Sequence, residues 1–198
     1  MGSTLAILID AIAGLYLLAV LLRFLLQVAR ADFYNPVSQA VVKVTDPLVR
    51  VFRNFIPGYR GIDFSSLILA FFVEAIAMTV LLTLYGASFS DVGLGFIVTY
   101  SFVGVLYFII QIYYFAILGA IIMSFVMMFS GNMNPHPILM LVWQLTAPIM
   151  DPVRRIIPPM GGLDISPIFI FIAIDLLKNL LINVFGITAG HAQVIIGI

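Results

Sequence analysis

Four long apolar runs constrain this chain more than any other feature: Thr4–Val28, Phe64–Tyr85, Gly93–Phe129 and Ile165–Gly186. A helix that crosses the hydrocarbon of a bilayer needs about 20 mainly apolar residues, and each run reaches that length. Little remains from which to build a water-facing surface. Of 198 residues, 63% are hydrophobic and 9% charged, whereas a soluble domain carries about 25% charged residues. Lipid must be the solvent, and the fold class is an all-α membrane protein with four transmembrane helices. The third run is too long for one upright span, because each helical residue rises about 1.5 Å. Either it tilts strongly, or Gly93–Val103 is a separate interfacial piece and the span starts near Val105.

An internal repeat favours the second choice. A shift of 101 residues lays Thr45-Asp46-Pro47-Leu48 on Thr146-Ala147-Pro148-Ile149, Arg53 on Arg154, and Ile56-Pro57 on Ile157-Pro158. The same shift lays Gly61-Ile62-Asp63-Phe64-Ser65 on Gly162-Leu163-Asp164-Ile165-Ser166, and Pro36 on Pro137, without a gap. Chance rarely aligns proline, glycine, arginine and aspartate together. The chain then divides into a first repeat, 1–92, with helices 4–28 and 64–85 around an amphipathic segment 35–56. The second repeat, 93–198, has helices 105–129 and 165–186 around a segment 134–157. Two helices per unit is an even number, so both units face the same way.

Basic residues set the orientation. The connection after the first helix holds Arg30, Lys43, Arg50, Arg53 and Arg60, and the one after the third holds Arg154 and Arg155. The loop Gly86–Val92 has no Lys or Arg. The positive-inside rule puts both long connections in the cytoplasm and both termini outside. The start of the chain lacks a basic region ahead of its apolar run, so that run reads as a retained helix. Ala6 stands where myristoylation would want Ser or Thr.

Each connection carries a helical apolar stripe. In the first it is Val37, Val41, Val44, Leu48, Phe52 and Phe55, with Lys43, Arg50, Arg53 and Asn54 elsewhere on the wheel. Asn35 and Asp46 each precede a proline, an N-cap followed by proline at the first helical position. The pattern predicts two short helices in each connection. The second copy has fewer charges and adds Trp143, an interfacial residue. Lys43, Arg50, Arg53, Arg60, Arg154, Arg155 and Trp143 are candidates for contact with lipid headgroups or a partner. The alternative is that these helices only cap the bundle.

The duplicated turn that follows contains Pro57, Gly61 and Asp63 in one half and Pro158, Gly162 and Asp164 in the other. Proline and glycine turn the chain back towards the bilayer. Asp63 and Asp164 then stand where an N-cap carboxylate would meet the first free amides of the next helix. The same carboxylates could instead face Arg53 and Arg154.

The run Asp32-Phe33-Tyr34-Asn35-Pro36-Val37-Ser38-Gln39, with Val41-Val42-Lys43-Val44-Thr45-Asp46-Pro47 after it, resembles the YggT family of bacterial inner-membrane proteins. So does Arg154-Arg155-Ile156-Ile157-Pro158-Pro159-Met160-Gly161-Gly162-Leu163-Asp164. The resemblance covers nearly the whole chain. It implies a four-helix, twice-repeated protein of the bacterial inner membrane. Members are associated with osmotic tolerance and potassium uptake, and plastid and Gram-positive relatives with cytochrome maturation, division or nucleoid organisation. It carries no catalytic residues onto this chain.

Charged groups inside spans are costly and are functional candidates by default. Glu74 and Asp175 lie near the centres of the second and fourth helices, one repeat apart. Asp10, Arg23 and Lys178 complete the set. An ion or proton site would use the two acids. The structural alternative pairs Asp175 with Lys178, three residues on, and lets Arg23 reach towards Glu74 or snorkel to the headgroups. Ala116, Ala120 and Ser124 form a small-residue row on the third helix, suited to close helix packing.

Several functions are excluded. Nine Lys+Arg balance nine Asp+Glu, which argues against nucleic acid. There is no cysteine, hence no disulfide or thiolate metal site. Neither His136 nor His191 lies in a span, so paired intramembrane haem ligands are absent. No metal, no cofactor and no catalytic set is expected. Two functions remain: a non-enzymatic membrane scaffold or assembly factor that contacts lipids and another membrane protein or complex, or a small ion-transport or osmotic-response protein using Glu74 and Asp175. No span is broken by proline or glycine, which favours the first. A homo-oligomer is compatible with either.

Overall fold

The computed structural model describes residues 2–56, 58, 61–87, 89–130, 136–157 and 164–198. Among the described residues seven helices follow one another: α1 (Gly2–Val28), α2 (Pro36–Arg53), α3 (Phe64–Leu84), α4 (Phe89–Ser130), α5 (Pro137–Ile156), α6 (Ser166–Val184) and α7 (Ala189–Ala192). Four of them, α1, α3, α4 and α6, are long and apolar enough to cross a membrane. This is a multi-pass membrane protein.

α1 packs along α3, α3 against α4, and α4 against α6. The core runs between α1, α3 and α4, where Leu17, Val20, Leu21, Leu69, Ala70, Ala77 and Val105 are buried together. α2 and α5 lie across one end, touching each other and α1. The bonds Asn35 Nδ2 to the Pro137 carbonyl, 2.8 Å, and Asp32 N to Gln144 Oε1, 2.9 Å, join the two halves there. This is the basic end, where Arg50, Arg53, Arg154 and Arg155 gather. α3 and α6 both close at the opposite end on a glycine with positive φ, Gly86 at 86° and Gly186 at 60°. In each case the next amide bonds back into the last turn, Ala87 to Leu82 and Ile187 to Ile182, a Schellman-type stop that needs a left-handed residue.

Three expectations are corrected. First, each connection is one helix, not two: α2 passes through Pro47, and α5 through Pro148 and Pro152. Thr45 Oγ1 donates to the Val41 and Val42 carbonyls at 2.7 and 3.3 Å, and Thr146 Oγ1 to the Val142 and Trp143 carbonyls at 2.8 and 3.3 Å. These bonds tie each threonine to the turn before its proline, which the helix passes without the proline's own N–H. Asp46 is therefore not a cap. Asn35 is, accepting from Val37 N at 2.9 Å, and His136 Nδ1 does the same for Ile138 N.

Second, Gly93–Val103 is not a detached interfacial piece. The one non-helical residue inside α4 is Gly93, with φ 76° and ψ 155°. From there α4 is continuous to Ser130, about 55 Å at 1.5 Å per residue, well beyond a hydrocarbon core of about 30 Å.

Third, Asp63 does not cap α3; its side chain makes no cap bond and is turned to arginine instead. Asp164 does meet a free amide, that of Ser166 at 3.0 Å. Pro57, Arg60, Pro158 and Gly162 lie outside the described residues, and Gly61 has φ 82°.

On α2 the stripe turned to the bundle is Ser38, Thr45 and Val49, all buried. Much of the apolar face expected from the sequence points outward: Val44, Leu48 and Phe55 are exposed. Thr45 serves the interior because Arg23 meets its hydroxyl, and Ser38 because its hydroxyl donates to the Asp32 carbonyl at 2.9 Å.

Candidate functional site

Arg23, on α1, is buried at 4% exposure. It does not reach Glu74. Its guanidinium donates to Thr45 Oγ1 at 3.0 Å, to the Val42 carbonyl at 3.4 Å and to Asp46 at 3.0 Å, and it lies 3.8 Å from Asp63. Arg53 pairs with Asp63 and Arg50 with Asp46. Ser65 Oγ closes the frame on the Ile56 carbonyl at 2.7 Å. Burial alone would raise the Asp63 carboxyl. The Arg53 bond and charge, the Ser66 bond and the Arg23 charge outweigh it and hold the group below its ordinary value. Asp46 is likewise lowered, its burial overcome by Arg23 and Arg50.

The second half repeats part of this frame at the 101-residue offset. Arg154 binds Asp164 at 2.8 Å, and Ser166 Oγ donates to the Ile157 carbonyl at 3.1 Å. Burial of Asp164 is outweighed by bonds from Arg154 and Ser166, so its carboxyl also lies low. Asp151 sits 3.8 Å from Arg154. Lys43 and Arg155 are exposed. The basic candidates are thus split: Arg53 and Arg154 hold turns in place, whereas Lys43 and Arg155 face outward.

The two central acids lie in different surroundings. Glu74 is fully buried. The chain after α6 folds back into the bundle, burying Val194, Ile195 and Ile196, and the Ile196 amide donates to Glu74 Oε1 at 3.0 Å. Opposite stands Gly104 of α4, where a Cβ would lie 2.6 Å from Oε1 and 2.8 Å from Ile195 Cγ2. Any larger residue there would have to displace both side chains. The overhanging start of α4 supports the tail: Tyr100 Oη donates to the Phe185 carbonyl at 2.9 Å, and Phe96 and Tyr100 pack on His191. None of this tail was visible in the sequence pattern.

Asp175 occupies the equivalent place on α6 and is exposed. Lys178 makes no direct ion pair with it. That ammonium is turned inward, to Gln111 Oε1 and over the rings of Tyr107 and Tyr114, 5.3 and 4.8 Å from their centroids. Among the described residues, no cation or hydrogen-bond donor is bonded to the Asp175 carboxylate. Asn179 and Asn183, also exposed, follow at four-residue intervals and so share its face. Their amides bond back along the helix, to Asp175 O at 2.9 Å and Asn179 O at 2.7 Å. Ile168, Ile172 and Leu176 extend the exposed face. Of the helices, α6 packs only against α4 and α5, whereas α3 packs against α1, α2 and α4. The α3 face that carries Glu74 is covered by α4; the α6 face that carries Asp175 is covered by no helix among the described residues. Asp10, on α1, is exposed too.

The profile of the CCB3/YggT family matches the chain twice over, at residues 2–84 and 99–185. The chain belongs to the CCB3/YggT family. An uncharacterized Pseudomonas aeruginosa protein is 39% identical to it over 188 residues, covering 93% of this chain and 91% of that one. The uncharacterized protein YggT of Escherichia coli K12 is 34% identical over 171 residues, 85% of this chain and 84% of the relative. A Vibrio alginolyticus relative is 33% identical over 187 residues, 93% and 96% of the two chains. No solved structure matches. Both stretches matched by the CCB3/YggT profile end one or two residues before the Schellman glycines, so the tail that reaches Glu74 lies beyond the second stretch.

Proposed function

We propose that this CCB3/YggT protein is a membrane-embedded docking protein whose α6 receives a transmembrane helix of another membrane protein. The observation that carries this is the exposed stripe Asp175–Asn179–Asn183 on a helix otherwise made for lipid. A carboxylate and two amides facing hydrocarbon are costly, and such groups are normally turned to a partner or a polar cavity. The first half indicates what the partner would offer. Over Glu74 lie a glycine of the neighbouring helix and one N–H donor, so the docking helix would bring a small residue and a donor or cation to Asp175. A second copy is a poor occupant: a two-fold contact through this stripe sets Asp175 against Asp175 at one depth.

The basic end, by the positive-inside rule, faces the cytoplasm, with Lys43 and Arg155 and the outward apolar side of α2 at the headgroups and both termini across an inner membrane. Ion transport has less support, because Glu74 is sealed beneath the tail while Asp175 faces outward, so the two acids line no shared path.

The test is photo-crosslinking in native membranes from positions 172 and 176 on the stripe, with Ile12 and Leu15 on the exposed face of α1 as controls. A discrete adduct with one other membrane protein is expected from the stripe alone, and Asp175→Leu should diminish it. Adducts from both faces alike, from neither, or only between copies of this chain would sink the proposal.

A further inference from the structure

A cavity of about 440 Å³ lies at the basic end between α4, α5 and α6, within the range of about 300–1,000 Å³ that holds small ligands. One wall carries Ser124, Trp143, Thr146, Arg154 and Asp164, with Ala147 among them. Counting back 101 residues gives Arg23, Val42, Thr45, Asp46, Arg53 and Asp63, the frame that surrounds the Arg23 guanidinium. In the first half, that volume is filled by the arginine of the same chain. In the second, Ser124 replaces the arginine and Ala147 replaces the aspartate bonded to it, while the rest of the frame persists. Thr146 Oγ1 makes the same pair of carbonyl bonds as Thr45, which leaves its lone pairs free to accept. Asp164 is tied to Arg154 as Asp63 is to Arg53. The threonine hydroxyl, the carbonyl that it bonds and the arginine-bound aspartate have been kept, and the cation has been removed from the chain.

We infer that this cavity binds a phospholipid headgroup bearing a primary ammonium. The ammonium donates to Thr146 Oγ1 and the Trp143 carbonyl, as Arg23 donates to Thr45 Oγ1 and the Val42 carbonyl, and it pairs with Asp164, as Arg23 stands 3.8 Å from Asp63. The phosphate is met by Arg154 and Arg155. Two features favour a lipid over a partner's arginine side chain. The other wall is apolar, with Ala120, Ile121 and Phe125, and the exposed Phe125 continues it onto the lipid-facing surface of α4, giving an acyl chain its course. The charges also suit a zwitterion. Asp151 and Asp164 both face Arg154, so a guest ammonium evens the balance. Arg155 is exposed, and no ion pair engages it among the described residues, so it is available to an anion. A lone guanidinium would leave it unmet.

Trp143 is the chain's single tryptophan and stands in the cavity wall, so its fluorescence reports occupancy directly. Protein delipidated in mild detergent is titrated with phosphatidylethanolamine, phosphatidylcholine and phosphatidylglycerol, each brominated high on the acyl chains to quench the indole. Saturable quenching is expected at least tenfold tighter for the ethanolamine lipid than for the choline lipid. The two share phosphate and tails, but the methylated ammonium has no N–H to donate. Ser124→Arg combined with Ala147→Asp transplants the internal pair of the first half and should abolish the saturable phase. Should that variant not fold, Thr146→Val removes one acceptor at nearly constant shape and should weaken ethanolamine lipid selectively. Equal affinity for all three lipids would overturn the inference. So would retained selectivity in the filled variant. A response to arginine methyl ester in place of the ethanolamine lipid would assign the cavity to a protein side chain instead, and would overturn it too.

Discussion

Glu74→Leu should release the C-terminal tail without unfolding the bundle. The Ile196 amide and Glu74 Oε1 meet at 3.0 Å in a fully buried site. A hydrogen bond to a neutral acceptor contributes about 1 kcal/mol and one to a charged acceptor about 1.5–3 kcal/mol. At about 1.4 kcal/mol per decade, losing it raises the open population of the tail roughly five- to hundredfold. Leucine also leaves the Ile196 N–H buried without an acceptor, which pushes towards the upper end. Glu74→Gln keeps an acceptor oxygen in place and should move the population far less. Gly104→Ala attacks the contact from the other side, since its Cβ would crowd both Oε1 and Ile195. It should loosen the tail even though alanine suits a helix better than glycine by about 1 kcal/mol. The assay is amide hydrogen exchange in micelles, read by mass spectrometry on a peptide covering residues 185–198, with peptides of α1 and α3 as internal controls. If that peptide exchanges at the wild-type rate in both Glu74→Leu and Gly104→Ala, the carboxylate does not hold the tail and the reasoning fails.

Arg23→Leu should cost about 3–5 kcal/mol of stability, the penalty for stripping a buried pair of one partner, because Asp63 at 2% exposure keeps Arg53 as its one cation among the described residues, beside the Ser66 bond; chemical unfolding in micelles measures it, and a loss below about 1 kcal/mol would show the frame to be dispensable. Acid should destabilise the protein through Asp46, Asp63 and Asp164. Their folded values lie below the ordinary 3.8, so the stability they add is complete above that value and is lost as pH falls through the folded values. Asp63→Asn should flatten that acid limb in a melting-temperature profile.

What the sequence disclosed, it disclosed through local rules. Runs of apolar residues gave the spans, and Asn35-Pro36 gave the start of α2, since a side-chain acceptor followed by proline satisfies a helix opening whatever packs around it. The rules failed where a distant residue overrode them. Pro47 reads as a helix start, yet Thr45, with Arg23 packed against it, carries the helix through. The Asp63 carboxylate reads as a cap, but a buried arginine pair is worth more to it than an exposed amide. Lys178 lies one turn from Asp175, yet the rings of α4 and Gln111 draw it inward. The tail was illegible for a different reason. Val194, Ile195 and Ile196 are too few to show a period, and only the third dimension brings them to Glu74.

The same pairing has a consequence in time. Glu74 and Ile196 are separated by 122 residues, so translation at about 5–20 residues per second delivers the amide roughly 6–25 s after the acid. Throughout that interval α3 must be held with its carboxyl group unbonded by the tail, either beside lipid or in the care of the insertion machinery. Closure of the contact is possible only after the last spanning helix has been made. The bond therefore forms only once residue 196 has been made, and a chain cut short before it would leave the buried acid without that donor.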